Sequence, residues 1–392
     1  MLRFLTAGES HGPQLTVILD GFPSGVPLRE EDIDADLARR QAGEGSGGRM
    51  AIEKDRVLIR AGVMAGRTTG GPLSLVVENR DFGSWRDRDI LPMTVPRPGH
   101  ADLTAAVKYG YRDLRLGLER ASARETAARV AMGAACRIFL GQFGVLVGSY
   151  VESIGPVKAR IEGGLEDLFR KAEDDPVRCP DGSASAEMVQ AIKQARADGD
   201  TLGGIFQCVA LNLPPGLGSH VQWDRRLTGK LLAAVGSIPA IKGVEFGTAF
   251  ENTKCRGTEL HDAIVPEPAH ALTAITRATN RAAGIEGGIT TGAPLVVRAA
   301  MKPISTTLKG IPSVDLTTGK AVQTVYERSD ICAVPRAAVV AEAMVAFVLA
   351  DALIEKLGGD GLEEMMPRFR SLRSDNLADL PMDNKPWRFG YR

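Results

Sequence analysis

The sequence lacks closely spaced cysteines, an excess of either charge, many aromatic residues and any unbroken apolar run long enough to cross a membrane. Each absence removes a class of function. Its five cysteines (Cys136, Cys179, Cys208, Cys255 and Cys332) are widely spaced and odd in number. With no CxxC pair, neither a zinc cage nor a disulfide framework is indicated, and the reduced cytoplasm is the expected setting. Lys+Arg and Asp+Glu balance at 48 each. That argues against nucleic acid or an acidic membrane surface as the main partner, since both demand a basic excess. The opening MLRFLTAGESHG has too short an apolar run for a signal peptide. The most apolar stretch, 337–350, is flanked or interrupted by Arg336, Glu342 and Asp351. It reads as a buried core helix, because a span needs about 20 apolar residues in a row. No histidine pair has metal-ligand spacing such as HExxH, so no metal is expected.

Glycine is plentiful, at 44 of 392 residues. The glycines gather in loops, where backbone turns sharply or approaches a ligand. Residues 13–21 predict a strand and 30–41 a helix, with acids in its first turn and arginines in its last. Further strands are expected at 56–63, 73–78, 145–151, 205–213, 243–249 and 294–300. Helices are expected at 101–115, 119–142, 185–197, 224–235 and 335–357. Between Glu78 and His100 lies a long irregular segment, a length of loop that usually serves function or assembly. No repeat and no Ser/Pro linker divides the chain, so residues 1–392 read as one large domain of mixed helix and strand, with strand direction left open.

The chemistry concentrates in a few strings. GESHG at 8–12 carries Ser10 and His11; RPGHAD at 97–102 carries Arg97 and His100. ERASARET at 119–126 carries Arg120, Ser122 and Arg124, and RSD at 328–330 carries Arg328 and Asp330. MKPISTT at 301–307 adds a lysine, a turn proline and a row of hydroxyls. Two imidazoles among so many guanidiniums suit an anionic, phosphorylated ligand and proton transfer near neutral pH. An arginine excess should also depress the histidine pKa values. Arg120 and Arg124, four apart on one predicted helix, should share a face. GESHG also matches the GxSxG elbow of serine hydrolases, but that elbow needs a strand before the serine and a helix after it. Here Pro13 and LTVIL predict a strand after it. Alone, His100 would read as a surface cap and MKPISTT as a polar turn.

Taken together, GESHGPQL, RPGHAD, ERASARETAARV, SIPAIKGVEFG, NRAAGIEGGITTG, KPIST and RSD resemble, in order, the landmarks of the chorismate synthase family. The resemblance implies an α+β fold: a single-domain β-α-β sandwich with helices between antiparallel sheets, usually assembled as a homotetramer. It implies trans-1,4 elimination of phosphate from a small-molecule substrate, 5-enolpyruvylshikimate 3-phosphate, giving chorismate. It also implies a requirement for reduced FMN, with NADPH a possible reductant. By matching motif, His11 would protonate the departing phosphate, His100 would serve flavin N1, and Asp330 would sit near flavin N5. Substrate contacts would be Ser10, Arg40, Arg49, Arg97, Ser122, Arg124 and Arg328. Cofactor contacts would be Arg40, Ser46, Arg120, Ala121, Ser122, Pro239, Ala240, Gly287, Lys302, Pro303, Ile304, Ser305, Thr306 and Arg328. One loop departs: GEGSGGRM at 43–50 stands where the family reads GYGRGGRM, so Glu44 replaces an aromatic residue and Ser46 an arginine expected to face the ligand. The alternative is a flavin- or phosphate-binding relative without turnover.

Overall fold

The computed structural model describes residues 1–47, 53–267, 274–388 and 390. Two antiparallel sheets dominate. The first has four strands in the order Arg3–Ala7, Gln14–Asp20, Leu73–Glu78, Val57–Ala61. The second has five, in the order Ile241–Phe246, Leu295–Met301, Gly204–Leu211, Leu146–Ile154, Val157–Lys158. Side chains alternate along a strand, and QLTVILD shows the result: Leu15, Val17 and Leu19 are buried while Gln14 and Ile18 face outward.

Two long helices pack against these strands and share the core with them. Val334–Leu357 packs along Thr126–Gly141 and against strands Leu146–Ile154 and Gly204–Leu211. Thr126–Gly141 packs in turn on strands Gln14–Asp20 and Leu73–Glu78. The pair meets closely at Gly133, where a β-carbon would lie 2.2 Å from that of Ala343. Pro335 suits the first turn of Val334–Leu357, where no intrahelical N–H bond is lost. By length and composition this helix could cross a membrane, yet 94% of its most apolar 18-residue window is buried inside the protein. It is the core helix that the sequence predicts.

One carboxylate is sealed in that core. Glu342 accepts from Arg39 at 2.8 and 2.9 Å, from Ser149 at 2.6 Å and from Arg178 at 3.3 Å. Burial pushes its carboxyl up, but Arg39, Arg137 and Arg178 outweigh that and hold it at about 2. The first residues are tied to the core helix as well: the Leu2 N–H donates to Asp351 Oδ1 at 2.8 Å.

Most predicted elements are present, and three expectations are corrected. The helix expected over 101–115 stops at Tyr109, because Gly110 takes a left-handed φ of 70°, and a second helix spans Arg115–Ala121. The helix expected over 119–142 is broken at Ser122, whose extended backbone (φ −63°, ψ 141°) leads into a short 3-10 turn before Thr126. The Ser122 hydroxyl accepts from the Arg124 N–H at 3.3 Å, a local bond that competes with helix continuation. Arg120 and Arg124 therefore share no helix face. Strand Arg3–Ala7 and helices Leu165–Glu173 and Leu362–Arg370 had no predicted counterpart.

Candidate active site

A cavity of about 600 Å³ opens where the strand ends, the Ser122 break and the start of the long core helix converge. Its lining gathers Ser10, His11, Arg40, Arg97, His100, Ala121, Ser122 and Arg124 from the first half of the chain. Pro239, Ala240, Lys302, Ile304, Ser305, Thr306, Arg328 and Asp330 come from the second. Apolar walls are supplied by Leu118, Ile238, Met301 and Val340. The size lies within the range of small-molecule and cofactor sites, roughly 300–1,000 Å³.

His11 lies in the turn that leads into strand Gln14–Asp20. Glu119, one turn before Ser122, receives both its backbone N–H and its ring: Oε2 accepts from His11 N at 2.8 Å, and Oε1 lies 2.8 Å from Nδ1. With Nδ1 turned to the carboxylate, Nε2 is on the far side of the ring, and the residue lines the cavity. The Trp85 ring lies against it, centroid to centroid 4.2 Å. Burial raises the Glu119 carboxyl, but the hydrogen bonds from His11 prevail and hold it below the usual range. Ser10 precedes a strand, not a helix, so the hydrolase elbow is not formed.

His100 stands in the turn before helix Asp102–Tyr109. Its Nδ1 lies 2.5 Å from Asp102 Oδ1 and 3.1 Å from Arg97 Nη2. Arg97 is held by the same carboxylate, through Nε at 2.8 Å and Nη2 at 3.0 Å, and reaches Thr306 Oγ1 at 3.0 Å. Burial opposes ionisation of Asp102, yet His100 and Arg97 keep its carboxyl far below the ordinary value. The histidines, expected among many guanidiniums, are each backed by a carboxylate as well.

The remaining cations are mostly committed. Arg124 meets Asp55 at 2.6 Å and Asn79 Oδ1 at 2.8 Å. Arg40 lies 3.4 Å from Asp55 and bonds Thr126 Oγ1, and burial is the main reason its guanidinium falls to about 10. Arg328 donates to Asp81 at 2.5 Å. Asp330 accepts from the Gly47 N–H at 2.8 Å and pairs with Arg336. Lys302 has no carboxylate partner among the described residues; it reaches Ser305 Oγ at 3.1 Å and the Pro303 carbonyl at 3.2 Å. Burial first, and then Lys242, lower its pKa.

Several expected residues lie elsewhere. Arg120 turns to Thr6 Oγ1 at 2.7 Å and to the Thr6 and Gly8 carbonyls, and its side chain does not line the cavity. Pro303 and Gly287 do not line it either; Gly287 sits in a hairpin turn beside His220. Ser46 donates to the Gly43 carbonyl at 2.8 Å, and the neighbouring Gly47 faces the cavity instead. Glu44 is turned to Arg196 at 3.4 Å. Arg49 lies outside the described residues.

Sequence reasoning missed Arg336. It lines the cavity, is 7% exposed, and its Nε and Nη2 have no hydrogen-bond partner among the described residues. Unsatisfied buried donors facing a cavity are suited to an anionic ligand. The signal was visible as the single charge in the first turn of a largely apolar helix. Glu119, Asp102 and Trp85 were missed as partners of the histidines.

Comparison with known proteins agrees with this geometry. A family model described as chorismate synthase matches residues 2–354. The chain is 52% identical to the chorismate synthase of Symbiobacterium thermophilum, over 94% of this chain and 98% of that protein. It is 51% identical to a chorismate synthase of Thermus thermophilus, over 95% and 98%. A solved structure titled as a crystal structure of chorismate synthase superposes with a TM-score of 0.77 at 44% identity, covering 94% of this chain and 96% of that one. With six of its seven matching motifs brought to one cavity and its relatives aligned nearly end to end, the chain belongs to the chorismate synthase family.

Proposed function

We propose that this chain is a lyase that converts 5-enolpyruvylshikimate 3-phosphate to chorismate by trans-1,4 elimination of phosphate, in the cavity described above. One observation carries the reading: two carboxylate-backed histidines stand in a single cavity with six arginines and a lysine. Loss of phosphate builds negative charge on the leaving oxygen, which an imidazolium and guanidiniums stabilise. His11, its Nδ1 turned to Glu119, delivers the proton from Nε2 to the departing phosphate. Arg124, Arg328 and Arg336 bind the phosphate and carboxylates, and the unsatisfied donors of Arg336 add to the set carried by motif.

FMN suits this cavity. Apolar walls at Ile238, Met301 and Val340 suit a flat ring system, and Lys302, without a carboxylate partner among the described residues, suits its phosphate. Ala121, Ser122, Pro239, Ala240, Ile304, Ser305 and Thr306 would hold the group beside Arg328. When bound in reduced form, it supplies the electron density that no side chain provides. His100, fixed by Asp102, would hold a proton beside the flavin ring, and Asp330, fixed by Gly47 and Arg336, would accept the proton lost from the substrate. The non-catalytic alternative has no observation in its favour.

The finer architectural reading, a β-α-β sandwich, is supported by the contacts of the two core helices with strands of both sheets. Exposed Leu103, Val107, Tyr109 and Leu116 support assembly as a homotetramer. A cytoplasmic setting is supported by five free cysteines, four of them buried.

Anaerobic turnover with photoreduced FMN tests the activity, and repeating it with NADPH alone tests self-reduction of the flavin. FMN titrated by absorbance should bind more tightly with substrate present, because Arg328 and the Ser122 break face both ligands. Equal affinity in both conditions counts against one shared cavity.

A further inference from the structure

Arg115 is used by none of the steps above, yet its surroundings are unusual. It begins helix Arg115–Ala121, where a cation meets the unfavourable end of the helix dipole. Its guanidinium lies 5.7 Å from the Trp85 ring centroid, within cation–π range. Its Nη2 lies 3.6 Å from Glu327, next to Arg328. Its Nε and Nη1 are buried with no hydrogen-bond partner among the described residues. Two unmet donors at a disfavoured helix position call for a compensating role.

The neighbours supply that role. Trp85 is fixed on three sides: Arg115 over its ring, His11 against it at 4.2 Å, and its Nε1–H directed to Asp81 Oδ2 at 3.3 Å. Asp81 Oδ2 also receives Arg328. One helical turn beyond Arg115 is Glu119, the carboxylate that orients His11, and the Arg115 charge favours its ionised form. Arg115 thus reaches both groups that fix the His11 ring, Trp85 at cation–π distance and Glu119 through its charge, from a place outside the cavity lining.

We propose that Arg115 is a positioning residue for His11, acting through Trp85 and Glu119. A planar guanidinium can lie on an indole while pairing with Glu327 and projecting charge toward Glu119, and a lysine ammonium does so less well. The proposal rests on the assignment of His11 as the proton donor.

The test is a cycle of variants assayed for chorismate formation with photoreduced FMN. Arg115→Met should lower kcat roughly ten- to a hundred-fold, as small misplacements of a reacting group do, while KM stays within about threefold. Arg115→Lys should recover part of that loss. In a His11→Ala background, Arg115→Met should cost little more, because residues that act as a unit are not additive. Multiplying losses in the double variant, or normal turnover in Arg115→Met alone, overturns the proposal. If neither Arg115 variant folds by far-UV circular dichroism, the residue is structural and the proposal also falls. Near-normal turnover in His11→Ala removes the proton-donor reading and this inference with it. A slow His11→Ala beside a normal Arg115→Met sinks the inference alone.

Discussion

A histidine that hands a proton to a leaving group needs a fixed tautomer and a fixed direction, and Glu119 gives His11 both. His11→Ala and His100→Ala should each slow turnover by roughly a hundred-fold or more. His220→Ala, at an exposed position away from the cavity, serves as the control. Steady-state rates decide it, and near-normal activity in the first two variants would refute the assignment. At this scale the sequence was partly legible. His11, His100, Arg97 and Asp330 announce themselves by chemistry in short strings. Their partners do not: Glu119 lies 108 positions from His11, and Arg196 lies 152 from Glu44. No local pattern encodes a pairing over such a distance. Asp102, two residues from His100, was within reach of a closer reading.

Elements with a strong period and clear stops were legible almost to the residue, as at Glu30–Gln41 and Leu73–Glu78. The break at Ser122 was not, because alanine-rich flanks favour helix and only a single serine bond opposes it. That break matters to function, since it lets Ser122 and Arg124 line the cavity while Arg120 turns away. The two core helices also bound the cavity, through Thr126 on one and Arg336, Ala337 and Val340 on the other. Their closeness at Gly133 sets the distance between those walls. Gly133→Ala should therefore destabilise the fold by about 1–3 kcal/mol through overpacking and weaken ligand binding at the same time. Denaturant unfolding and flavin titration measure the two effects. Unchanged values in both would show that the helices part without cost.

At the scale of the whole molecule, Glu342 joins helix Glu30–Gln41, strand Leu146–Ile154 and the core helix through one buried carboxylate. Its carboxyl falls from an ordinary 4.5 to about 2 on folding. A depressed acid stabilises the fold above its unfolded pKa and loses that contribution as pH falls through the folded one. The loss should run from about pH 4.5 to about pH 2, and Glu342→Gln should flatten it. At neutral pH the same change should cost about 3–5 kcal/mol, because three arginines lose their counter-charge. Acid and urea unfolding of the two proteins provide the check; an identical acid transition would rule the network out as its source.

The bond from Leu2 to Asp351 spans 349 positions, and the cavity brings Ser10 together with Val340. During synthesis, both sheets can be made before the helix that covers them has left the ribosome. The growing chain must then carry the apolar surfaces that this helix covers unburied until residues 334–357 have been made. No premature stop before that helix leaves a partly active enzyme, and the interval before its arrival is when the molecule is most open to aggregation and to proteases.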